Sequence, residues 1–212
     1  MHKGTAFLFG LIAILAVAGC AADPAADKPD AQVSEAQPVT EPASSGTPLA
    51  FSQDSTITWV GSKVTGSHNG GFQVFEGEIN LVNDDPTASS VSVAIDATSL
   101  WADNDKLTGH LRSPDFFAVE TYPTATFTST AIEAAESGYT VTGNLDLHGV
   151  EKSIRFPAEI EIADGNVTIL ASFAIKRFDF GIEYPGVKDD LIRDEVAITL
   201  DLRSAAAVAA VP

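Results

Sequence analysis

Apolar and polar residues alternate with a period of two through most of the chain between residues 51 and 203. That period belongs to strands with one buried face and one wet face. Ile57 and Trp59, with Gly61, share a face of a first strand. Phe72 and Val74, then Ile79 and Leu81, predict a second strand with a bend near Glu76-Gly77. Val91, Val93 and Ile95 alternate with Ser90, Ser92 and Ala94. Tyr139, Val141, Leu145 and Leu147 alternate with Thr140, Thr142, Asn144 and Asp146. Gly143 falls in the apolar register, as at a bulge or a close approach. Ile154, Phe156, Ala158, Ile160 and Ile162 share a face, as do Val167, Ile169, Ala171, Phe173 and Ile175. Val196, Ile198, Leu200 and Leu202 close the series.

Turn residues separate these runs at Asn83-Asp84-Asp85-Pro86, Glu136-Ser137-Gly138, His148-Gly149 and Asp164-Gly165-Asn166. About eight strands with short connections predict an all-β, eight-stranded antiparallel barrel, whose closure removes sheet edges. Such a barrel is either filled by side chains or holds one small ligand.

One segment breaks the period. Leu107 and Leu111 stand four apart within Asp103 to Ser113, as on one face of a short helix with Asp103 as its N-cap. Ser113-Pro114-Asp115 reads as a second helix start, with Phe116, Phe117 and Val119 on its inner side. An aromatic helical insert at the edge of a β-structure suggests a lid or wall for an apolar pocket.

The first 19 residues read as an export signal. Lys3 supplies the positive charge, and Ala6 to Ala18 is apolar but too short to span a bilayer comfortably. Val17-Ala18-Gly19-Cys20 resembles a bacterial lipobox, with Val17 in place of the commoner leucine. The resemblance implies cleavage before Cys20 and lipid on that residue. Ala21 in the sorting position favours the periplasmic face of the outer membrane, if the cell has two membranes. With one cysteine, no intramolecular disulfide can form. Residues 20–50, rich in Ala, Pro, Asp, Ser and Glu, read as a disordered linker. Thirty such residues span roughly 30 Å and reach about 100 Å when stretched. The folded domain is expected at 51–203, with a disordered tail at 204–212.

Charge narrows the partners. The chain holds 29 acidic and 12 basic residues, a net charge of −17. That balance excludes nucleic acid as a partner, because such affinity rests on phosphate neutralisation.

Several short blocks occur in order. They are Gly71-Phe72-Gln73-Val74-Phe75-Glu76-Gly77, Ile95-Asp96-Ala97-Thr98-Ser99, and His110-Leu111-Arg112-Ser113-Pro114-Asp115-Phe116-Phe117 followed by Tyr122-Pro123. Then come Thr142-Gly143-Asn144-Leu145-Asp146-Leu147-His148-Gly149-Val150, Arg177-Phe178-Asp179-Phe180-Gly181 and Asp194-Glu195-Val196. Together they resemble the YceI family, the polyisoprenoid-binding, lipocalin-like proteins of the bacterial envelope. Asp146, where the family often has Thr, and Lys152-Ser153, where it often has Lys-Pro, are small departures. The resemblance implies a lipocalin-like barrel with an elongated apolar pocket for an isoprenoid or fatty lipid.

On that implication the pocket candidates are Trp59, Phe72, Phe75, Phe116, Phe117, Phe127, Phe156, Phe173, Phe178 and Phe180. Any one of them could equally be ordinary core. His110, Arg112 and His148 are candidate headgroup contacts, against the readings that Arg112 pairs with Asp115 or Asp103 and that each histidine is simply solvated. Lys176-Arg177 reads as an exposed or salt-bridged pair. The histidines are widely spaced, no metal spacing or Gly-x-Ser-x-Gly elbow occurs, and no cofactor or enzymatic activity is expected. The expectation is a membrane-tethered carrier or buffer of isoprenoid lipid, polyprenyl chain or quinone, as a monomer or homodimer. The alternative is an envelope protein-interaction module with a filled barrel.

Overall fold

The computed structural model describes residues 22–39 and 46–205. The expected signal segment 1–19, Cys20 and residues 206–212 lie outside the described residues. Fourteen strands form: β1 Gln32–Glu35, β2 Thr47–Ala50, β3 Thr56–Lys63, β4 Gly66–Phe72, β5 Phe75–Val82, β6 Asp85–Asp96 and β7 Leu100–Ala102. After the helix α1, Asp105–Arg112, come β8 Thr124–Ala134, β9 Tyr139–Leu147, β10 Val150–Ala163, β11 Asn166–Lys176, β12 Gly186–Val187, β13 Asp190–Leu191 and β14 Glu195–Arg203. Short 3-10 turns occupy Ala97–Ser99 and Arg177–Phe180.

The fold is all-β, antiparallel and lipocalin-like, with one short helix, as the alternation predicts. The strand count is higher. Twelve strands form one sheet in the order β2-β5-β6-β8-β9-β10-β11-β14-β3-β4-β7, with β1 attached to β10; β12 and β13 pair separately. The expected second strand is in truth two. A joint at Gln73-Val74 carries the chain from β4, near one end of this order, to β5, near the other. The two ends of the curled sheet therefore meet at this corner. Ser99 pins it, its carbonyl accepting from Gln73 N–H (3.4 Å) and its Oγ from Val74 N–H (3.0 Å). Val74 consequently points outward and is exposed.

Three hairpins close with two-residue turns whose central residues both have positive φ: Asn83-Asp84, His148-Gly149 and Asp164-Gly165. That geometry matches the twist of the flanking strands. Gly143 is both things its position suggested. The β8–β9 register shifts beside it, between Ser129 and Ala131, and the Phe127 ring lies across it. A Cβ there would stand 2.4 Å from Phe127 Cζ.

Two expectations about the insert change. Asn104, not Asp103, caps α1, its Oδ1 accepting from Leu107 N–H at 3.0 Å. Asp103 is engaged elsewhere, with Asn69 and His68. Ser113-Pro114-Asp115 starts a turn rather than a second helix. The carbonyl of Ser113 accepts from both Phe116 and Ala118 N–H, which folds the segment back before helix can propagate.

The larger correction concerns the linker. Residues 23–37 lie along the barrel, in a continuous path here called the strap. Ala25 is buried against Ala174 and Ala197. β1 then pairs with the first half of β10, Gln32 opposite Arg155 through Glu35 opposite Lys152. Gln37 exchanges two hydrogen bonds with the Asn144 side chain (2.9 and 2.7 Å). The domain also begins earlier and ends later than expected. β2 pairs with β5, and Ser204 bridges to Phe51 while its Oγ accepts from Val167 N–H at 2.9 Å.

Candidate functional site

Inward-facing strand residues and the helical insert enclose two adjacent apolar chambers. The first, about 260 Å³, lies under α1. Trp59, Phe72, Leu107, Leu111, Phe116 and Phe117 form much of its wall, so the insert is a wall, as its aromatic content suggested. The Trp59 ring can lie flat because β4 offers Gly70 beneath it; a Cβ there would meet Trp59 Cζ2 at 2.0 Å. Phe117 packs edge-on to Phe72, with ring centres 6.0 Å apart.

The second chamber, about 120 Å³, lies deeper among the strands. Its lining is wholly apolar and includes Phe127, Phe156 and Phe173 with Val91, Val93, Ile95 and Ala125. Phe156 and Phe173 stack at 4.2 Å, and Phe127 leans on Phe156 at 5.9 Å. Phe72, Leu147, Ile175 and Ile198 face both chambers and form the partition between them.

Seven of the ten aromatic pocket candidates therefore line a chamber. Three do not. Phe75 packs against the core and meets Phe51 edge-on at 6.4 Å. Phe180 is fully buried in the core, at 0% exposure. Phe178 is 46% exposed, its ring under the Arg177 guanidinium at 4.4 Å. The 3-10 turn explains the last two. With three residues per turn, Arg177 and Phe180 share the inner face and Phe178 is rotated outward.

None of the three headgroup candidates lines a chamber; each has a structural partner. His110 Nε2 meets Asp115 at 3.0 Å, and its ring packs against Phe116 and Tyr184. Arg112 pairs with neither Asp115 nor Asp103. Its Nε and Nη2 both donate to the Leu100 carbonyl, at 3.1 and 2.5 Å, tying the end of α1 to β7. His148 occupies a positive-φ turn position, its Nδ1 3.2 Å from the Phe180 carbonyl and its ring against Tyr122.

The polar groups at the first chamber are others: Ser62, Lys63, His68, Arg177 and Arg193. Arg177 is not an exposed pair with Lys176. It is 5% exposed and donates to three carbonyls, of Ile182 (2.6 Å), Arg193 (3.0 Å) and Ile192 (3.2 Å). Burial pulls its pKa below the ordinary guanidinium value, with Asp194 opposing; an arginine nonetheless stays charged in a protein. Lys63 is ion-paired to Asp190, and Arg193 lies 3.6 Å from Asp23 of the strap. His68 meets Asp103 at 2.8 Å. Asp103, which also accepts from Asn69 N–H, is held below the usual carboxylate range chiefly by that backbone bond and then by His68. Asp190 is likewise lowered, first by Lys63 and also by Thr65.

Trp59 adds a different kind of group. Its side chain is nearly buried, at 9% exposure, and its indole Nε1 has no acceptor among the described residues. Unpartnered buried donors are rare and costly. Among the described residues no cluster of three or more His, Cys, Asp or Glu side chains gathers as a metal site would.

The family model for the YceI-like domain matches residues 50–204. A UPF0312 protein of Pseudomonas putida strain W619 is 33% identical over 141 residues, covering 61% of this chain and 71% of that protein. Among solved structures, Burkholderia cenocepacia BcnA superposes with a TM-score of 0.64 at 25% identity, over 71% of this chain and 96% of that one. A polyisoprenoid binding domain from Saccharophagus degradans, implicated in plant cell wall breakdown, superposes with a TM-score of 0.61. At 21% identity, over 75% of this chain and 98% of that one, it is alike in fold.

Proposed function

We propose that this chain, which belongs to the YceI-like family, holds an isoprenoid-type lipid in its two chambers and serves as a carrier or buffer for it. The observation that carries this reading is the second chamber, whose lining has no polar side chain at all. A barrel kept for shape alone gains by filling such space, since voids forfeit packing energy. The alternative of a filled barrel that only binds protein is disfavoured by the same chambers.

The dimensions bear on ligand type. The first chamber alone is near the lower end of small-molecule pockets, about 300 Å³. A long apolar tail would therefore use both chambers, displacing the partition side chains. Each buried methylene contributes about 0.8 kcal/mol, so a tail of several isoprene units binds firmly with few polar contacts. Four basic side chains approach the first chamber, yet carboxylates or carbonyls already engage each of them. That supports a neutral oxygenated head, such as a quinone or an alcohol, over a pyrophosphate. Trp59 Nε1 is the donor best suited to its oxygen.

The reading includes an address. The lipobox-like Val17-Ala18-Gly19-Cys20 supports lipid attachment at Cys20 and a place on the periplasmic side of a bacterial envelope membrane. More than one acyl chain on that residue gives stable anchoring. Organic extraction of the purified full chain followed by mass spectrometry tests the ligand. One isoprenoid lipid in near-stoichiometric amount is expected; an empty barrel that also takes up no added isoprenoid would sink the proposal. Mass analysis of the N-terminal peptide tests the anchor.

A further inference from the structure

We infer that the seam where the strap lies is a lateral entrance to the chambers, for the apolar chain of the ligand. The inference rests on the lipid-binding reading above.

β10 and β11 form a ladder only from Glu159 opposite Leu170 to Ala163 opposite Asn166. Continued in register, that ladder would set Arg155 opposite Ala174. Instead Arg155 faces Gln32, and Ala174 faces Asp30. The two strands have parted, and the strap fills the gap. Ala31 and Val33 pack against the core from this position, so the strap is part of the barrel wall. Ile154 and Phe156 on β10, and Phe173 and Ile175 on β11, flank the gap and line the second chamber.

The strap is held unequally on its two sides. Against β10 it forms a four-residue ladder, reinforced by the Lys152–Glu35 ion pair at 2.7 Å. Against β11 it has two backbone hydrogen bonds, Ala31 N–H to the Ala174 carbonyl (2.8 Å) and Ala174 N–H to the Pro29 carbonyl (2.9 Å), and one small apolar contact, Ala25 on Ala174. Beyond Ala174 the strap and β11 splay apart around a groove of about 370 Å³, bordered by Glu35, Lys176 and Asp179. A wall fixed along one edge and lightly attached along the other opens at the weak edge. Breaking those two bonds joins the groove to the Phe173 and Ile175 wall of the chamber. A flexible hydrocarbon chain can enter there without threading past the engaged polar groups at the first chamber.

Hydrogen exchange on the full chain supplies a test that needs no ligand. The Ala31 and Ala174 amides should be at least 100-fold less protected than those joining β11 to β14. Equal protection would make the strap a fixed wall and overturn the entrance. The kinetic test uses dansyl-labelled farnesol and a strap locked to β11 by Asp30→Cys with Ala174→Cys. Uptake by the oxidised protein should be at least tenfold slower than by the same protein after reduction, at unchanged Kd. Ala31→Pro, which removes one of the two hydrogen bonds, should speed uptake severalfold and serves if the cysteine pair does not fold. Binding at equal rates in every form overturns the entrance alone. No binding in any form overturns the lipid reading, and the entrance with it.

Discussion

The two chambers share a partition of strand residues and differ in what completes their walls. Long strands with strict alternation surround the second, which offers a ligand nothing but hydrocarbon. In the first, strand residues such as Trp59, Phe72 and Ile198 form one wall and the helix, the Phe116-Phe117 turn and residues between Ile182 and Arg193 complete it, adding an indole N–H and an engaged set of charges. Apolar burial without direction discriminates poorly among greasy chains. On the proposed lipid-binding reading, selection by head chemistry belongs to the first chamber and selection by length to the second.

The largest effect should come from unpinning the first chamber. Arg177→Met leaves the carbonyls of Ile182, Ile192 and Arg193 without their donor. Urea unfolding should show a loss of about 3 kcal/mol or more. A loss below about 1 kcal/mol would mean that this side chain does not hold the rim. Next come the glycines beneath the two key rings. Gly70→Ala presses a methyl onto Trp59 and the Trp101 carbonyl, and Gly143→Ala presses one onto Phe127 and the Thr128 carbonyl. Each should cost about 2 kcal/mol by overpacking. A marked inequality in the same unfolding assay would show which chamber can relax.

A smaller change separates head from tail. Trp59→Phe removes the unpartnered indole N–H together with part of the ring surface, a loss of wall that every ligand shares. Farnesol should lose about fivefold more affinity, roughly 1 kcal/mol, than farnesene, which has no oxygen and feels only the smaller wall. Equal losses for both would make Trp59 merely a wall. The smallest effect is acid. Asp103 and Asp190 have folded-state pKa values below their ordinary ones. Their stabilisation is present above the unfolded value, about 3.9, and fades as pH falls through the depressed values. Both carboxylates engage residues of the first chamber, and the second has no titratable lining residue. Fluorine labels on Trp59 and Phe156 should therefore respond in that order as pH falls below about 4.

The same contrast explains what was legible. The second chamber follows from alternation, since Phe127, Phe156 and Phe173 sit in strands whose registers can be counted. The first chamber's Ile182, Ile192 and Arg193 have no periodic neighbours, and only tertiary folding brings them together. The resemblance offers Phe178 and Phe180 alike as pocket candidates, and only the three-residue period of their turn buries one in the core and turns the other outward. The strap carries almost no signal. Gln-Val-Ser-Glu has one apolar residue, and it becomes a strand because the parted edges of β10 and β11 accept it. Strand formation there is set by context rather than by propensity.

If Cys20 carries the lipid proposed above, the docked strap also sets how far the barrel can stand from a membrane. Asp23, which meets Arg193, comes three residues after Cys20. At about 3.5 Å per residue, a chain anchored at Cys20 has roughly 10 Å of slack instead of about 100 Å. The leash is nearly all taken up by the barrel itself. Under the proposed anchor the barrel would ride close to the acyl surface with its Arg193 side nearest, and a lipid leaving the bilayer would have only a short step to make.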